Sequence, residues 1–465
     1  DDIIIVRASE ALDDVIDAGN GGETDGDTLR VEGAGALVLR GFNAATSGIE
    51  HWSGTGQALT GLSGNEVFDL SGLQSVSGLP IVDGAGGADT IVGSTFGDDL
   101  RGGAGQDSLS GGDGADHLNG GADADVIAGG AGDDIIHIAG SEALADTIDG
   151  GSSADEVLGD AIKVDGLGDV VMLDFNAATA GIERWIGNGA GLVGTTAGNH
   201  FDLSGLLEVS GLAFVEGNSG NDTLIGTEFA DTLRGARGND ALTGGAGDDV
   251  LTGGAGTDTI FGGDGDDTIV IERLDGLLDV MDAGDTADEV NGDTLQVTGA
   301  FGLTLVNFDS SANGFDIWAG NGLSLAGTSG ANVFDLSGLE QVTGLSFVDA
   351  SGGADTLVGS AFADDLRGGA GIDRITGGAG NDTLAGGSGA DTFVFDEGFG
   401  HDRLTDVTTA DILDLTAIAG VHSIADLTMV DQAGGVAITI GADELFLVGR
   451  TAASVTDAQF HFGLA

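Results

Sequence analysis

Aspartate recurs at every ninth residue in three separate stretches of this chain, and two residues after each copy stands an apolar side chain. In the first stretch the series is Asp89, Asp98, Asp107, Asp116, Asp125 and Asp134, followed at +2 by Ile91, Leu100, Leu109, Leu118, Ile127 and Ile136. The second holds Asp222, Asp231, Asp240, Asp249, Asp258 and Asp267, and the third Asp355, Asp364, Asp373, Asp382 and Asp391, which makes seventeen copies. A period this short and this long-lived admits only an architecture that stacks one small unit on the next.

Each unit has the form of Gly102-Gly103-Ala104-Gly105-Gln106-Asp107, six residues of loop and then three of strand. Glycine permits positive φ, so the loop can turn tightly with its carbonyl oxygens inward. The middle residue of each three-residue strand faces one side only, so the Ile, Leu and Phe at that place form an apolar column. Stacking at strand spacing also sets each carboxylate about 5 Å from the next, a column of like charge that needs a counter-ion.

A longer period overlies the short one. Phe68-Asp69-Leu70-Ser71-Gly72-Leu73 returns as Phe201 to Leu206 and, after an equal interval, as Phe334 to Leu339, and Trp52, Trp185 and Trp318 keep the same spacing. The expected organisation is an intervening segment over 1–83, a nonapeptide block over 84–138, then 139–216, 217–271, 272–349 and 350–395 in alternation, with a cap over 396–465. The intervening segments read as wider solenoid turns of short apolar strands punctuated by Gly and Asn. Leu12, Val15 and Ile16 are spaced for one short helix within Ser9–Gly19. The three tryptophans are expected to fill the core of the wider turns in preference to forming a sugar-binding ladder.

Composition narrows the function. Asp plus Glu outnumber Lys plus Arg by 77 to 13, the formal net charge is −64, and yet 41% of the residues are hydrophobic. Such a chain can bury a core but repels itself unless cations bind. Lys163 is the only lysine, there is no basic stripe, and nucleic acid is excluded as a partner. Without cysteine there are no disulfides and no thiolate metal sites, whereas calcium prefers the hard oxygen ligands present here. No apolar run approaches transmembrane length.

The repeat Gly-Gly-x-Gly-x-Asp-x-apolar-x resembles the RTX, or haemolysin-type, calcium-binding nonapeptide. The resemblance implies an all-β fold, a right-handed parallel β-roll in which two repeats make one turn, with the three blocks joined by wider solenoid-like segments. It also implies Ca²⁺ held between loops by the seventeen aspartates and by loop carbonyls, about eleven ions if every gap is filled. Degenerate loops such as Gly93-Ser94-Thr95-Phe96-Gly97-Asp98 are candidates to stay empty. Phe399 to Asp406 and Asp411 to Leu415 resemble the segment that caps such rolls. Gln459-Phe460-His461-Phe462 is similar to the tails of type I secretion substrates, which implies export by that machinery to the cell exterior or surface.

Asp1-Asp2-Ile3-Ile4 aligns with Asp133-Asp134-Ile135-Ile136, so the chain is expected to open inside a repeat of a longer protein. No His-Glu-x-x-His helix, Gly-x-Ser-x-Gly elbow or phosphate loop occurs, and the chain is not expected to be an enzyme. The leading expectation is a calcium-stiffened rod about 100 Å long at ~4.8 Å per turn. It would serve as a structural or adhesive element of the S-layer or giant-adhesin type, with self-association or a cell-surface glycan as partner. The alternative is the secretion and folding module of an exported enzyme whose catalytic domain lies upstream. The repeat region of a pore-forming toxin would need acylated lysines, and Lys163 stands alone.

Overall fold

A computed structural model describes residues 1–8, 16–19, 25–151, 157–271, 278–284, 292–299 and 302–463. The chain divides into two units, Asp1–Glu228 and Phe229–Ala465, the division falling within the second nonapeptide block. The described strands of each unit stack as parallel coils of a β-solenoid, as the nine-residue period requires.

In the first block each coil consists of two nonapeptides, one on either side. Ser108–Asp113 pairs with Val126–Ala131, Leu109 beside Ile127, while Asp99–Ala104 pairs with His117–Ala122, Leu100 beside Leu118. Successive nonapeptides therefore alternate between two sheets. The +2 residues Ile91, Leu100, Leu109, Leu118, Ile127 and Ile136 are all buried between them. Unit two repeats the arrangement: Thr232–Arg237 pairs with Val250–Ala255, and Ala241–Ala246 with Thr259–Asp264. The third block pairs Asp365–Gly371 with Thr383–Gly389.

The intervening segments are solenoidal too, but their coils have three sides. His51–Ser53, Leu59–Thr60 and Val67–Asp69 follow one another in the chain and join three different sheets. Trp52 lies beside Leu29 and Val76, and Phe68 beside Phe42 and Ile91. Trp52, Trp185 and Trp318 are each no more than 1% exposed. Each packs edge-on against a phenylalanine: Phe42 at 5.8 Å, Phe175 at 6.3 Å and Phe308 at 5.7 Å between ring centroids. The tryptophans are thus core fillers of the wider coils, and the sugar-ladder alternative is excluded for them. The helix expected within Ser9–Gly19 falls largely outside the described residues, and Ile16–Gly19 has no regular structure.

The C-terminal segment departs from the simple continuation. His401–Leu404 and Ile412–Leu415 extend the coils, but Thr428–Gln432, Gly435–Ile440 and Asp443–Val448 form an antiparallel meander. Its last strand returns to pair in parallel with His401–Leu404. Gly434 and Gly441, both at positive φ, make the two turns. The tail is docked: Phe460–Phe462 pairs with Ile412–Leu415, Phe460 is buried, and Gln459 Nε2 donates to the Thr408 carbonyl at 2.8 Å.

Candidate calcium sites

The spacing of the aspartates has a specific structural cause. Each carboxylate reaches back one coil, and its Oδ1 accepts the backbone N–H of the aspartate two nonapeptides earlier. Asp107 accepts from Asp89 at 2.7 Å, Asp125 from Asp107 at 2.8 Å, and on the opposite sheet Asp116 accepts from Asp98 at 2.7 Å and Asp134 from Asp116 at 2.8 Å. Unit two repeats the ladder from Asp231 to Asp249 to Asp267 and from Asp240 to Asp258. In the third block it runs from Asp355 to Asp373 to Asp391 and from Asp364 to Asp382. Asp89, Asp222 and Asp355 accept from Glu66, Asn199 and Asn332 in the coil before them.

With Oδ1 engaged, the second oxygen is fixed in place. Oδ2 of Asp89, Asp107, Asp116, Asp125, Asp249, Asp355, Asp373, Asp382 and Asp391 is buried with no hydrogen-bond partner. Around it the backbone is too close for any side chain. A Cβ on Gly102 would strike Asp107 Oδ2 and the carbonyl oxygen of Gly120 in the next coil, and Gly111 stands likewise against Asp116 Oδ2 and the Gly129 carbonyl. A carboxylate oxygen and a carbonyl oxygen approach the same glycine, and the carboxylate oxygen has no donor. A buried acceptor without a partner is costly, and a buried carboxylate more so.

Burial accordingly pushes these carboxyls up. Asp107 and Asp125 rise to about 6, Asp116 to about 7, and Asp249 and Asp382 to about 8, with neighbouring carboxylates adding to the effect of burial. Hydrogen bonds to the backbone pull the other way without offsetting it. A doubly charged hard cation answers both problems, since it is coordinated by carboxylate and carbonyl oxygens and supplies the missing charge. The residues present fit calcium on that ground. Among the described residues no three His, Asp or Glu side chains gather as a metal cage, so ligation depends on the loop carbonyls as well as on the aspartates.

The seventeen aspartates are not equivalent. Sixteen are buried and Asp98 is half-buried. In Asp98, Oδ2 accepts from the Ser94 N–H at 2.7 Å and from the Ser94 hydroxyl at 2.9 Å, and Asp364 does the same with Ser360 at 2.7 and 2.9 Å. Serine stands there in place of the second glycine and supplies both donors to Oδ2 from within the loop. These two residues therefore lack the open Oδ2 of the nine named above. The loops tolerate other departures from glycine: Ala85, Asp123, Asn218, Ala236 and Ser351 occupy glycine places of the repeat at φ between 72 and 81°.

The ladder also runs past the nonapeptides, into residues that the nine-residue spacing misses. Asp125 N–H donates to Asp146 Oδ1, Asp134 to Asp160, Asp258 to Asp279 and Asp267 to Asp293, at separations of 21 or 26 residues. Asp27, Asp160 and Asp293 keep the spacing of the three tryptophans, so the long period carried a signal for them. At the far end Asp382 donates to Asp402 and Asp391 to Asp411, both 20 residues on. Asp402 is 1% exposed, its Oδ2 has no partner, and burial pushes it up to about 7. Asp391 is thus not the end of its stack.

A family model, the RTX calcium-binding nonapeptide repeat, matches residues 83–118, 110–137, 145–161, 216–251, 234–269, 349–383, 358–393 and 367–404. These stretches hold the nonapeptide part of the carboxylate ladder, and the chain carries RTX calcium-binding repeats. No curated protein matches it. Among solved structures it is similar to the extracellular lipase LipA from Serratia marcescens, at 22% identity and a TM-score of 0.20. That match covers 54% of this chain and 41% of the lipase, so the chain spans less than half the length of that structure. No helix among the described residues is long and apolar enough to cross a membrane.

Proposed function

We propose that this chain is a secreted calcium-binding protein whose ladders of buried aspartate become rigid on meeting extracellular calcium. On this reading it serves as a structural or adhesive element at the bacterial surface or in the surrounding matrix, and it is not an enzyme. The observation that carries the reading is the buried Oδ2 without a partner that recurs at Asp89, Asp107, Asp116, Asp125, Asp249, Asp355, Asp373, Asp382 and Asp391. At millimolar calcium and a dissociation constant near 10⁻⁴ M, each site contributes about 1.4 kcal/mol to folding, and at submicromolar calcium almost nothing. The same chain would then be uncoiled inside the cell and folded outside it.

Far-UV circular dichroism with and without chelator tests the calcium dependence, and equal β content in both would overturn it. Export through a type I channel, read from the C-terminal tail, predicts that deleting Ala452–Ala465 abolishes secretion. Because Phe460 packs on the last coil, calcium binding by the truncated chain is measured alongside, so that lost export is distinguished from lost folding. For the surface role, cells carrying a chain with Asp116, Asp249 and Asp382 changed to Asn should lose calcium-dependent attachment or surface retention. Unchanged retention would sink the structural reading and leave calcium binding intact.

A further inference from the structure

The outer face of the first roll carries a second arrangement that the calcium ladder does not use. The strands Asp99–Ala104, His117–Ala122, Ile135–Ile138 and Ala161–Val164 lie side by side in parallel. His117 is paired with Ile135, two residues before His137, so the two imidazoles meet on the diagonal across adjacent strands. His117 Nδ1 is 3.0 Å from His137 Nε2, and the rings are tilted by 33° with centroids 5.3 Å apart. His137 Nδ1 is in turn 2.7 Å from Asp165 Oδ2. The pair opens into a groove of about 380 Å³ whose other polar lining residues are Asp83, Asp99, Arg101 and Asn119. Arg101 is held by Asp99 at 3.1 Å, and Lys163 lies 3.9 Å from the other oxygen of Asp165.

Two imidazole nitrogens bound to one tetrahedral metal at ~2.05 Å stand about 3.3 Å apart, and at right angles about 2.9 Å. The separation of His117 Nδ1 from His137 Nε2, which is that of a hydrogen bond between the two rings, falls in that interval, so a metal ion would take the place of the shared proton. Asp165 holds the opposite nitrogen of His137, the arrangement by which a carboxylate fixes the tautomer of a metal-binding histidine so that its other nitrogen presents a lone pair. The groove is lined by no Ser, Thr or Cys, so an Asp-His-His relay has no nucleophile to activate there. Calcium does not suit the pair, because it takes oxygen ligands, whereas imidazole suits zinc, nickel and copper.

We propose that His117 and His137 form a binding site for a late first-row divalent metal ion of the zinc, nickel or copper class, with Asp165 as the positioning residue. The site is separate from the calcium ladder and faces solvent. Two imidazoles supply the side-chain ligands, and water completes the coordination shell, since no third side chain converges among the described residues. The net charge of −64 concentrates cations near it.

The test is calorimetric titration of the calcium-loaded protein with ZnCl₂ and with NiCl₂, in excess calcium, alongside electron paramagnetic resonance of the Cu²⁺ form. One saturable site is expected, with nitrogen hyperfine structure in the Cu²⁺ spectrum. His117→Ala and His137→Ala should each weaken it at least tenfold, and Asp165→Asn ~10- to 100-fold with an altered Cu²⁺ spectrum. His200→Ala and His401→Ala should leave it unchanged, and calcium stoichiometry should be the same in all five variants. Absence of a saturable site, a site that survives both His117→Ala and His137→Ala, or heat that arises only as calcium is displaced would overturn the proposal.

Discussion

Asp98 and Asp116 occupy successive coils on the same side of the first roll and differ in one respect that calcium should reveal. Each can be changed to asparagine with little change of shape. In Asp116→Asn the oxygen that accepts the Asp98 N–H is retained, while the buried Oδ2 is replaced by an NH₂ group that cannot ligate a cation. One lost site is worth about 1.4 kcal/mol at millimolar calcium and a dissociation constant near 10⁻⁴ M. In chelator the sign reverses. The Asp116 carboxyl is pushed up to about 7 by burial, so above that pH its ionised form costs the calcium-free fold on the order of a few kcal/mol. Asparagine removes that cost. In Asp98→Asn the groups disturbed are the two bonds from Ser94, worth ~0.5–1.5 kcal/mol each, and calcium plays no part. Equilibrium dialysis and thermal melts at pH 8 decide the matter. Asp116→Asn should bind one ion fewer, melt lower than wild type in calcium, and keep equal or greater β content in chelator. Asp98→Asn should keep its calcium count and lower the melting temperature in calcium only by what the two Ser94 bonds are worth. A calcium count unchanged in Asp116→Asn, or reduced equally in both variants, would refute the distinction between open and closed loops.

Acid should partly replace calcium: because burial raises Asp116, Asp249 and Asp382 from their ordinary value to about 7 or 8, the calcium-free fold is favoured below pH 4 and loses that support as the pH rises towards 8. Circular dichroism in chelator should show β content increasing as the pH falls from 9 to 5, and a flat profile would contradict it. Trp185→Ala should destabilise unit one by ~3–5 kcal/mol through the cavity left against Phe175, with glycan-array binding unaffected. Ala236→Gly, at φ 75°, should raise the melting temperature by relieving a left-handed alanine worth about 1 kcal/mol, and a lower melting temperature would be contrary to the argument. Gly102→Ala should reduce calcium affinity and stability together, since its Cβ would displace Asp107 Oδ2, and normal calcium binding by that variant would count against the proposed cradle.

The nine-residue period was legible because the bond that produces it is local to the stack. The bond joins each aspartate to the N–H one coil back whatever the length of that coil, so wherever the coil is two nonapeptides long the aspartates fall into a nine-residue register. Where the coil lengthens, the same bond persists and the pattern disappears. Asp134 to Asp160 spans 26 residues and Asp382 to Asp402 spans 20, and no fixed-period search carries the ladder across either step. The long period preserved Asp27, Asp160 and Asp293, and each keeps a glycine before it and an apolar residue two places on, Leu29, Ile162 and Leu295, but none falls in the nine-residue register of a block, so the short period passes over them. The antiparallel meander after Asp426 was hidden for a related reason. Its strands Gly435–Ile440 and Asp443–Val448 are held by turns at Gly434 and Gly441, and in a chain with 90 glycines those two carry no special mark. The pair His117 and His137 is further still from sequence reasoning. The two residues stand 20 apart, slightly more than one coil, and their meeting depends on a diagonal contact between neighbouring strands and on Asp165 from the first wider coil beyond them. Periodicity reports what the stack repeats, and the sites that differ from coil to coil are set where the repeat is broken.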